Sequence, residues 1–471
     1  MSRRICVSIA LGCILAVPLV GRSDDWPQFR GPTVNGLTRE TNLPAEWGAE
    51  KNVAWKIALP GVAWSQPIVV GDKIFVTTAI TEKQAKPRPF SMGKGGFPKG
   101  DYPKGDFPKG GPPKDGAKGG FPGMGSGKPP DVMYQWEIHC LDRASGKTVW
   151  KKTAAEKKPS IATHGSNTYA SETPVSDGER VYAYFGMTGL YCYDLAGKLV
   201  WERDLGSYKM MAGWGTGSSP ALDCDRLFVL CDNEEQSFVV ALDKKTGKDI
   251  WRKRRSDRSS WGTPYVWKTK DRTQIVCVGP NRACAYDPAT GDIVWEMKGI
   301  DGGSASTPVA NDEMIYLGTG GIFGVRPLVA VKAEAKGDIT LKDGQTSNEY
   351  VAWSHKLAGP YMSSALLYDG LLYVTTSQRG VSGVTCYDPK TGKKLYENEP
   401  LEKAGGITAS PWAYDGKVFF LDENGRTFVL KAGKEFKVLA ENKLNEMFWS
   451  SPAIAGGALF LRGTDHLFCI K

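Results

Sequence analysis

The sequence has few of the residues on which common catalytic and metal sites depend. Its four histidines are His139, His164, His355 and His466, and no two of them have the spacing of zinc ligands. The cysteines form no Cys-x-x-Cys pair, no Cys-x-x-Cys-His haem motif and no adjacent Cys-Cys pair. A Gly-x-Ser-x-Gly nucleophile elbow is also absent. The chain therefore carries no sequence sign of zinc, haem, thiol-redox or serine-hydrolase chemistry.

Long runs of helix-forming residues at helical spacing are also scarce. In their place the 471 residues include 56 Gly and 15 Trp, and aromatics make up 11% of the chain. Many short apolar runs separated by turn residues are typical of strands. The composition therefore predicts an all-β protein.

The basic surplus is confined to two segments. The formal net charge is +9, but residues 1–23 hold three Arg without any acid, and residues 83–131 hold ten Lys or Arg against four Asp. The rest of the chain is balanced, so the folded body has no basic face of the kind that binds nucleic acid. We expect no nucleic-acid partner.

The N-terminus has the order of a secretory signal. Arg3 and Arg4 precede an apolar run over 5–20, and Gly21 and Ser23 follow it. The run is shorter than the about 20 residues of a membrane helix. We predict a signal peptide over 1–23, export to the periplasm or the cell exterior, and a mature chain without a transmembrane span. A lipid anchor on Cys13 is the alternative.

An eleven-residue unit recurs along the chain. It begins with Ala or Cys, places Asp two residues later, continues through a Gly-containing turn and ends in Trp, as in the segment 241–251. Further copies lie at 140–150 and 285–295, a shorter one at 192–201, and one ending in Tyr at 386–396. The repeat positions are Asp142, Gly146, Trp150, Asp194, Gly197, Trp201, Asp243, Gly247, Trp251, Asp287, Gly291, Trp295, Asp388 and Gly392, with Trp55 as an isolated N-terminal copy of the Trp.

Each recurring residue of this unit has a structural explanation. The Asp can accept hydrogen bonds from turn amides, and the Gly can take a left-handed conformation. The Trp opens the outer strand and can dock its apolar face on the next repeat. We interpret these Asp residues as structural residues of the turn rather than as metal ligands or catalytic groups.

A strand start of the Ser/Thr-Pro type precedes the units and occurs eight times, from Pro67 to Pro452, with Ala365 in place of Pro at one of them. The last start is followed by three strands, and the missing outer strand is available at 52–59 around Trp55. These counts predict an eight-bladed β-propeller of four-stranded antiparallel blades over 51–471, with the ring closed by the N-terminal strand. Residues 24–50 form an N-terminal extension, and we expect a monomer.

The segment 80–133 interrupts the first blade between its second and third strands. Gly, Pro and Lys dominate it, so it cannot bury enough apolar surface to order itself. It is either a tolerated surface insertion or a lysine-rich contact for an acidic surface.

The Asp-x-x-Thr-Gly-x-x-x-Trp unit resembles the tryptophan-docking repeat of quinoprotein propellers, which also appears in outer-membrane assembly lipoproteins of the BamB type. The stretch from Trp26 to Pro32, Trp-Pro-Gln-Phe-Arg-Gly-Pro, resembles the start of exported quinoprotein-like repeat proteins, many of them from planctomycete-type bacteria. Resemblance to the quinoprotein dehydrogenases implies pyrroloquinoline quinone, Ca²⁺ and a catalytic Asp. Those enzymes carry an adjacent Cys-Cys pair that this chain lacks, and no Ca²⁺ ligand set can be matched.

The residues before each first strand should surround one end of the propeller axis. We predict a funnel mouth there, whose aromatic rings either stack on a planar ligand, sugar or peptide or pack the crowded centre. Trp261 and Trp449 are the leading candidates, since each lies three residues before a strand-opening Pro. The predicted mouth residues are Trp64, His164, Asn167, Tyr169, Trp214, Trp261, Tyr361 and Trp449.

These patterns lead to three functional hypotheses. The first is an exported, non-catalytic scaffold that binds an envelope protein, a peptide or a polysaccharide. The second is a pyrroloquinoline-quinone-dependent dehydrogenase with an atypical site. The third is an outer-membrane protein assembly subunit, which would carry a lipid on an N-terminal Cys.

Overall fold

Antiparallel strands account for nearly all regular structure in the computed structural model, which describes residues 25–87, 127–300, 305–320, 326–378 and 381–471. Within these residues the helical elements are two short 3-10 turns, Gly186–Thr188 and Met211–Gly213. None of the helices in the described ranges has the length and apolar character to cross a membrane. The predicted signal at 1–23 and residues 88–126 of the predicted insertion lie outside the described residues.

The strands form eight sheets in the described part of the chain, which we number as blades 1 to 8. The first strand, β1 (Val53–Ala58), belongs to the last blade. Blade 1 contains β2 (Ile68–Val70), β3 (Lys73–Ile80), β4 (Tyr134–Asp142) and β5 (Thr148–Lys157). Blade 2 contains β6 (Val175–Ser176), β7 (Arg180–Tyr184), β8 (Leu190–Asp194) and β9 (Leu199–Arg203), and blade 3 contains β10 (Ala221–Asp223), β11 (Arg226–Cys231), β12 (Phe238–Asp243) and β13 (Asp249–Arg254). Blade 4 contains β14 (Tyr265–Lys268), β15 (Thr273–Val278), β16 (Arg282–Tyr286) and β17 (Ile293–Lys298).

The second half of the chain repeats this arrangement. Blade 5 contains β18 (Val309–Ala310), β19 (Met314–Gly318), β20 (Leu328–Lys332) and β22 (Val351–His355); the chain between the last two forms β21 (Gly337–Asp338), which joins blade 4. Blade 6 contains β23 (Leu366–Tyr368), β24 (Leu371–Gln378), β25 (Val381–Tyr387) and β26 (Lys394–Pro400), and blade 7 contains β27 (Trp412–Tyr414), β28 (Lys417–Leu421), β29 (Arg426–Lys431) and β30 (Val438–Lys443). Blade 8 contains β31 (Ala453–Ala455), β32 (Ala458–Arg462) and β33 (His466–Ile470), together with β1.

The first strand of each blade is the innermost one. First strands of adjacent blades, such as β2 and β6 or β2 and β31, contact one another, while the fourth strands lie outermost. The apolar core lies between neighbouring blades; Phe228 and Trp251 of blade 3, for example, pack against Ile275 and Tyr286 of blade 4. The predicted all-β, eight-bladed propeller is confirmed.

Strand β1 closes the ring. It pairs antiparallel with β33, so that Val53 lies opposite Ile470 and Ala58 opposite His466. Blade 8 therefore takes three strands from the C-terminal end of the sequence and its outer strand from the N-terminal end. This confirms the predicted closure and removes a free sheet edge.

The repeat Trp residues join neighbouring blades at five interfaces. Each indole Nε1 donates to the carbonyl of the residue after the turn Asp, or its equivalent, of the next blade, over 2.8–3.2 Å. The turn Asp carboxylates accept bonds from their own turn amides; Asp243 Oδ1, for example, accepts from the Thr246 amide at 2.8 Å. The pairs are Trp55 with Arg143, Trp150 with Leu195, Trp201 with Lys244, Trp251 with Pro288 and Trp353 with Pro389.

Substitution of the turn Gly at such an interface should be costly. Gly247 has a φ of +70°, and a Cβ there would lie 2.7 Å from the Trp201 ring. We expect Gly247→Ala to lower the free energy of unfolding by about 3 kcal/mol, because backbone strain and overpacking add. Gly416→Ala is the matched control, since its φ is +67° with nothing within 4 Å of the new Cβ; it should cost about 1 kcal/mol. If urea unfolding showed that both variants lose the same free energy of unfolding, the explanation from Trp docking would be contradicted.

Trp295 departs from the predicted docking. Its Nε1 donates to Gln274 Oε1 within blade 4 at 2.9 Å, and the ring is buried with Ala335 and Ile339 from the β20–β22 connection. In that connection Lys332 stands where the other repeats have Asp, and the turn Gly comes one residue later. The longer tail instead adds β21, which pairs parallel with Trp295 and Glu296. Blade 4 therefore has five strands rather than the predicted four.

Candidate functional site

The starts of the first strands are linked into a ring around the axis. The ring positions are Gln66, Thr173, Ser219, Thr263, Thr307, Ser364, Ser410 and Ser451. From Gln66 to Ser410, each backbone N–H donates to the side-chain hydroxyl of the next blade's residue, over 2.9–3.2 Å. Gln66 completes the circle because its Nε2 donates to the Pro452 carbonyl. We call this set the axial ring.

The axial ring was missed in the sequence, where the Ser/Thr-Pro pairs indicated only where strands begin. The signal that could have revealed it is the Ser or Thr at the same position of seven of the eight starts, which is followed directly by Pro at six of them. A backbone N–H at this depth must have an acceptor, and the neighbouring hydroxyl provides it.

A cavity of about 90 Å³ lies on the axis. It is lined by most of the axial ring and by the residues two positions earlier in each blade, which include Trp64, Trp261 and Trp449. The volume is well below the roughly 300–1,000 Å³ of typical small-molecule pockets. The axis as it stands accommodates water or small ions rather than a cofactor-sized ligand.

The N-terminal extension covers the end of the axis opposite these Trp residues. Trp26 pairs with Val69 of blade 1, and Leu37 pairs with Ala413 of blade 7. The Asn35 side chain donates to the Ala310 carbonyl of blade 5 at 2.9 Å, and the Glu40 carboxylate accepts from two amides of the blade 8 hairpin. Phe29 reaches the cavity itself. One end of the axis is therefore closed by the chain's own residues.

The other end carries the predicted mouth, and three of its Trp residues lie together at the cavity. Trp64 and Trp449 from adjacent blades stack at 5.3 Å between ring centroids and 24° between planes. Trp64 Nε1 donates to the Ser166 carbonyl at 2.7 Å, and Trp261 Nε1 donates to the Gly215 carbonyl at 2.8 Å. These bonds fix the ring orientations. These three Trp residues share one sequence position, three residues before a Pro, and the structure brings them together at the cavity.

A second aromatic group adjoins Trp261. Trp214 lies 5.8 Å from Trp261, and His164 meets Trp214 edge-on at 6.1 Å. Asn167 holds this loop through Nδ2, which donates to the carbonyls of Trp214 and Thr216. All four side chains are half-buried. We call Trp214, Trp261 and His164 the aromatic mouth.

Of the other two predicted mouth residues, Tyr169 packs outside this group, and the Tyr361 backbone lies against blade 5. Tyr169 donates through its hydroxyl to the Ile161 carbonyl at 2.9 Å and packs against Tyr134 and Trp136. The Tyr361 backbone lies against Gly320 of blade 5, and its neighbour Met362 is the residue that lines the cavity. Loops between blades differ in length, so distance from the strand start alone does not place these side chains.

A buried ionic network supports the loop that carries Trp261. The side chains of Arg255, Asp232 and Asp257 are fully buried; Arg255 Nε lies 2.7 Å from Asp232 Oδ1 and Nη2 lies 2.8 Å from Asp257 Oδ2. Ser260 Oγ, next to Trp261, donates to Asp232 Oδ2 at 2.9 Å. The paired charges satisfy one another in a fully buried setting and connect the loop to blade 3.

Glu172 is a buried acid beside the axial ring. It is 1% exposed, and burial raises the pKa of its carboxyl to about 7. The carboxyl packs towards Gly186 and Thr216; a Cβ at Gly186, whose φ is +52°, would lie 2.9 Å from Glu172 Oε1. Near neutral pH this group therefore exchanges between neutral and charged forms inside the fold.

The described residues do not fit the cofactor set that the quinoprotein resemblance implies. No group of three or more His, Cys, Asp or Glu side chains in the described ranges could hold a metal ion. The axial cavity is too small for a quinone of several rings. Seven of the eight cysteines described are buried; burial raises the pKa of Cys192 to about 12, which makes its thiol unreactive.

Comparison with known proteins places this architecture in a recognised class. The family model described as outer membrane protein assembly factor BamB matches residues 135–260 and 234–336. The structure of BamB from Moraxella catarrhalis has 14% sequence identity and a TM-score of 0.51, covering 71% of this chain and 88% of that one. The protein has a quinoprotein-like β-propeller fold and is distantly similar to BamB.

Enzymes share this fold. A europium-containing methanol dehydrogenase matches with a TM-score of 0.54 and 13% identity, covering 94% of this chain and 90% of that chain. A quinohemoprotein alcohol dehydrogenase from Comamonas testosteroni matches with a TM-score of 0.55 and 12% identity, covering 95% and 80%. A tetrathionate hydrolase from Acidithiobacillus ferrooxidans is 23% identical over 279 residues, covering 55% of this chain and 49% of that enzyme, so the match spans about half the length of this curated relative.

Proposed function

We propose that this protein is an exported, non-catalytic propeller that binds an envelope protein, or an envelope peptide or polysaccharide, through its aromatic mouth. The observation that carries the proposal is the difference between the two ends of the axis. The extension covers one end, whereas the other presents the half-buried rings of Trp214, Trp261 and His164.

The mouth has the properties of a recognition surface. Its rings contact one another and its loops are held by side-chain bonds, so little conformational freedom is lost when a partner binds. Partly exposed indole rings provide large contact areas and dominate many protein interfaces. The similarity to BamB, whose name describes a protein assembly factor, favours a protein partner.

Binding should depend on the mouth and not on the outer strands. We expect the double variant Trp214→Ala/Trp261→Ala to lose its partner at least tenfold, because truncation of buried aromatic anchors typically costs about 2 kcal/mol or more. Ile293→Ala, which removes a 48% exposed side chain on the outer strand of the same blade as Trp261, is the matched control. The readout is quantitative capture of cross-linked envelope components on immobilised protein. Equal capture by both variants would refute the mouth as the binding site.

A quinone-dependent dehydrogenase is the competing function from the enzyme class, because it shares the fold. The two functions can be distinguished by incubating the protein with pyrroloquinoline quinone and Ca²⁺ and then testing whether it reduces an artificial dye in the presence of alcohols or sugars. Cofactor absorbance that survives gel filtration, together with dye reduction, would refute the non-catalytic proposal.

Export and a soluble monomer are parts of the same proposal. Mass spectrometry of the mature protein should find a chain that starts near Asp24 without a lipid, and light scattering should give a monomer. A lipid on Cys13 would favour the outer-membrane assembly subunit instead.

A further inference from the structure

The axial ring contains hydroxyl donors with unused hydrogens. A Ser or Thr hydroxyl has one hydrogen to donate and accepts through its oxygen. Each ring hydroxyl accepts a backbone N–H, and among the described residues none of the seven donates to a protein acceptor. Six of the seven line the axial cavity. The hydroxyl hydrogens are therefore free to point at whatever occupies the axis.

A buried cation lies at the closed end of this ring. The Arg30 backbone N–H donates to Gln66 Oε1 in blade 1 at 2.7 Å, and its Nη2 donates to the Ala365 carbonyl in blade 6 at 2.8 Å and to the Asn35 carbonyl at 3.0 Å. Arg30 thus links blade 1, through its backbone, to blade 6, through its guanidinium. Phe29, the preceding residue, lines the cavity.

The charge of Arg30 has no counter-ion in the described residues. Its side chain is 1% exposed, it forms no ion pair with a described carboxylate, and its Nε and Nη1 atoms are buried without a hydrogen-bond partner. Burial lowers the pKa of Arg30 to about 9, which still leaves it charged at neutral pH. Glu172, the buried acid beside Thr173 of the ring, packs towards Gly186 and Thr216 and does not line the cavity. A buried charge without compensation is strongly unfavourable.

We propose that the axial cavity is a binding site for a small inorganic anion, which the ring hydroxyls coordinate and whose charge balances Arg30. The cavity volume of about 90 Å³ fits a halide with a few waters and excludes organic anions of cofactor size. The anion reaches the site from the mouth, because the extension closes the other end. Anion binding on the axis requires no partner at the aromatic mouth, although Trp261 belongs to both sites.

Bromide provides a direct probe. Crystals of the mature protein grown in bromide should show an anomalous peak on the axis within hydrogen-bond distance of several ring hydroxyls. Bromide or chloride, exchanged for gluconate at constant ionic strength, should raise Tm by roughly 2 °C, since a ligand that binds the folded state stabilises it. Ordered waters alone on the axis, without an anomalous peak, would overturn the proposal.

Two variants assign the effect to Arg30. Arg30→Met should abolish the bromide-dependent rise in Tm, whereas Arg254→Met, which removes an exposed arginine, should retain it. If Arg30→Met does not fold, the anomalous peak in the unaltered protein decides the question. A bromide response that persists in a folded Arg30→Met variant would show that Arg30 does not hold the anion.

Discussion

Removal of residues 25–59 is expected to prevent formation of the closed ring. This deletion takes away β1, the outer strand of blade 8, and the Trp55 indole that docks on the blade 1 turn. Strand β33 is then an open edge that can pair with other chains. The shortened protein should elute as oligomers in size-exclusion chromatography and lose its cooperative thermal transition in circular dichroism.

The geometry offers a rescue of this deletion. The Lys471 N–H donates to the Asn52 carbonyl at 2.9 Å, so the end of β33 lies beside the start of β1. Appending residues 52–59 after Lys471 through a short Gly-containing turn should restore the outer strand as a hairpin. Deletion of 25–50 alone, which keeps β1, should give a closed monomer with a lower Tm. A monomeric 60–471 chain with the original transition would show that β1 is dispensable.

Glu172→Gln is expected to remove a large pH dependence of stability. Burial raises the pKa of the Glu172 carboxyl from its ordinary value of 4.5 to about 7 in the folded protein. The folded state therefore binds this proton more tightly, and its stabilising contribution is full below pH 4.5 and lost as the pH rises to about 7. At pH 8 the charged, buried carboxylate should cost roughly 3 kcal/mol relative to low pH.

Urea unfolding at pH 5 and pH 8 measures this contribution. Glu172→Gln should be more stable than the unaltered protein at pH 8 and closer to it at pH 5, because other titrating groups are common to both. Glu202→Gln, on an exposed residue of the same blade, is the control and should change neither value. The same pH slope in Glu172→Gln and in the unaltered protein would mean that Glu172 is ionised in the fold at pH 5.

The blade count and the closing strand could be predicted because a local rule repeats. Asp, Gly and Trp recur at fixed spacing, and each has a role within its own turn or at the adjacent blade. The rule failed at blade 5, where Lys332 replaces the Asp and the turn is longer. Trp295 occupies the Trp position of the repeat, but its indole donates to Gln274 of its own blade instead of to the next blade.

The candidate site was predictable where it follows the strand starts and not elsewhere. Trp64, Trp261 and Trp449 share a fixed distance from Pro, so the pattern brought them together. Arg30 and Glu172 have no such pattern, because their burial results from contacts with blades distant in sequence. Tyr169 and Tyr361 lie in connections of unequal length, whose course depends on neighbouring loops.

The pairing of β1 with β33 also orders events during synthesis. Val53 belongs to the first strand of the ring to be made, and its partner Ile470 belongs to the last strand of the ring. Contacts between residues so distant in sequence form slowly, whereas each other blade is a local hairpin array that can form as it emerges. Strand β1 must therefore remain unpaired until β33 has been made. The protein therefore remains most prone to misassembly until β1 pairs with β33.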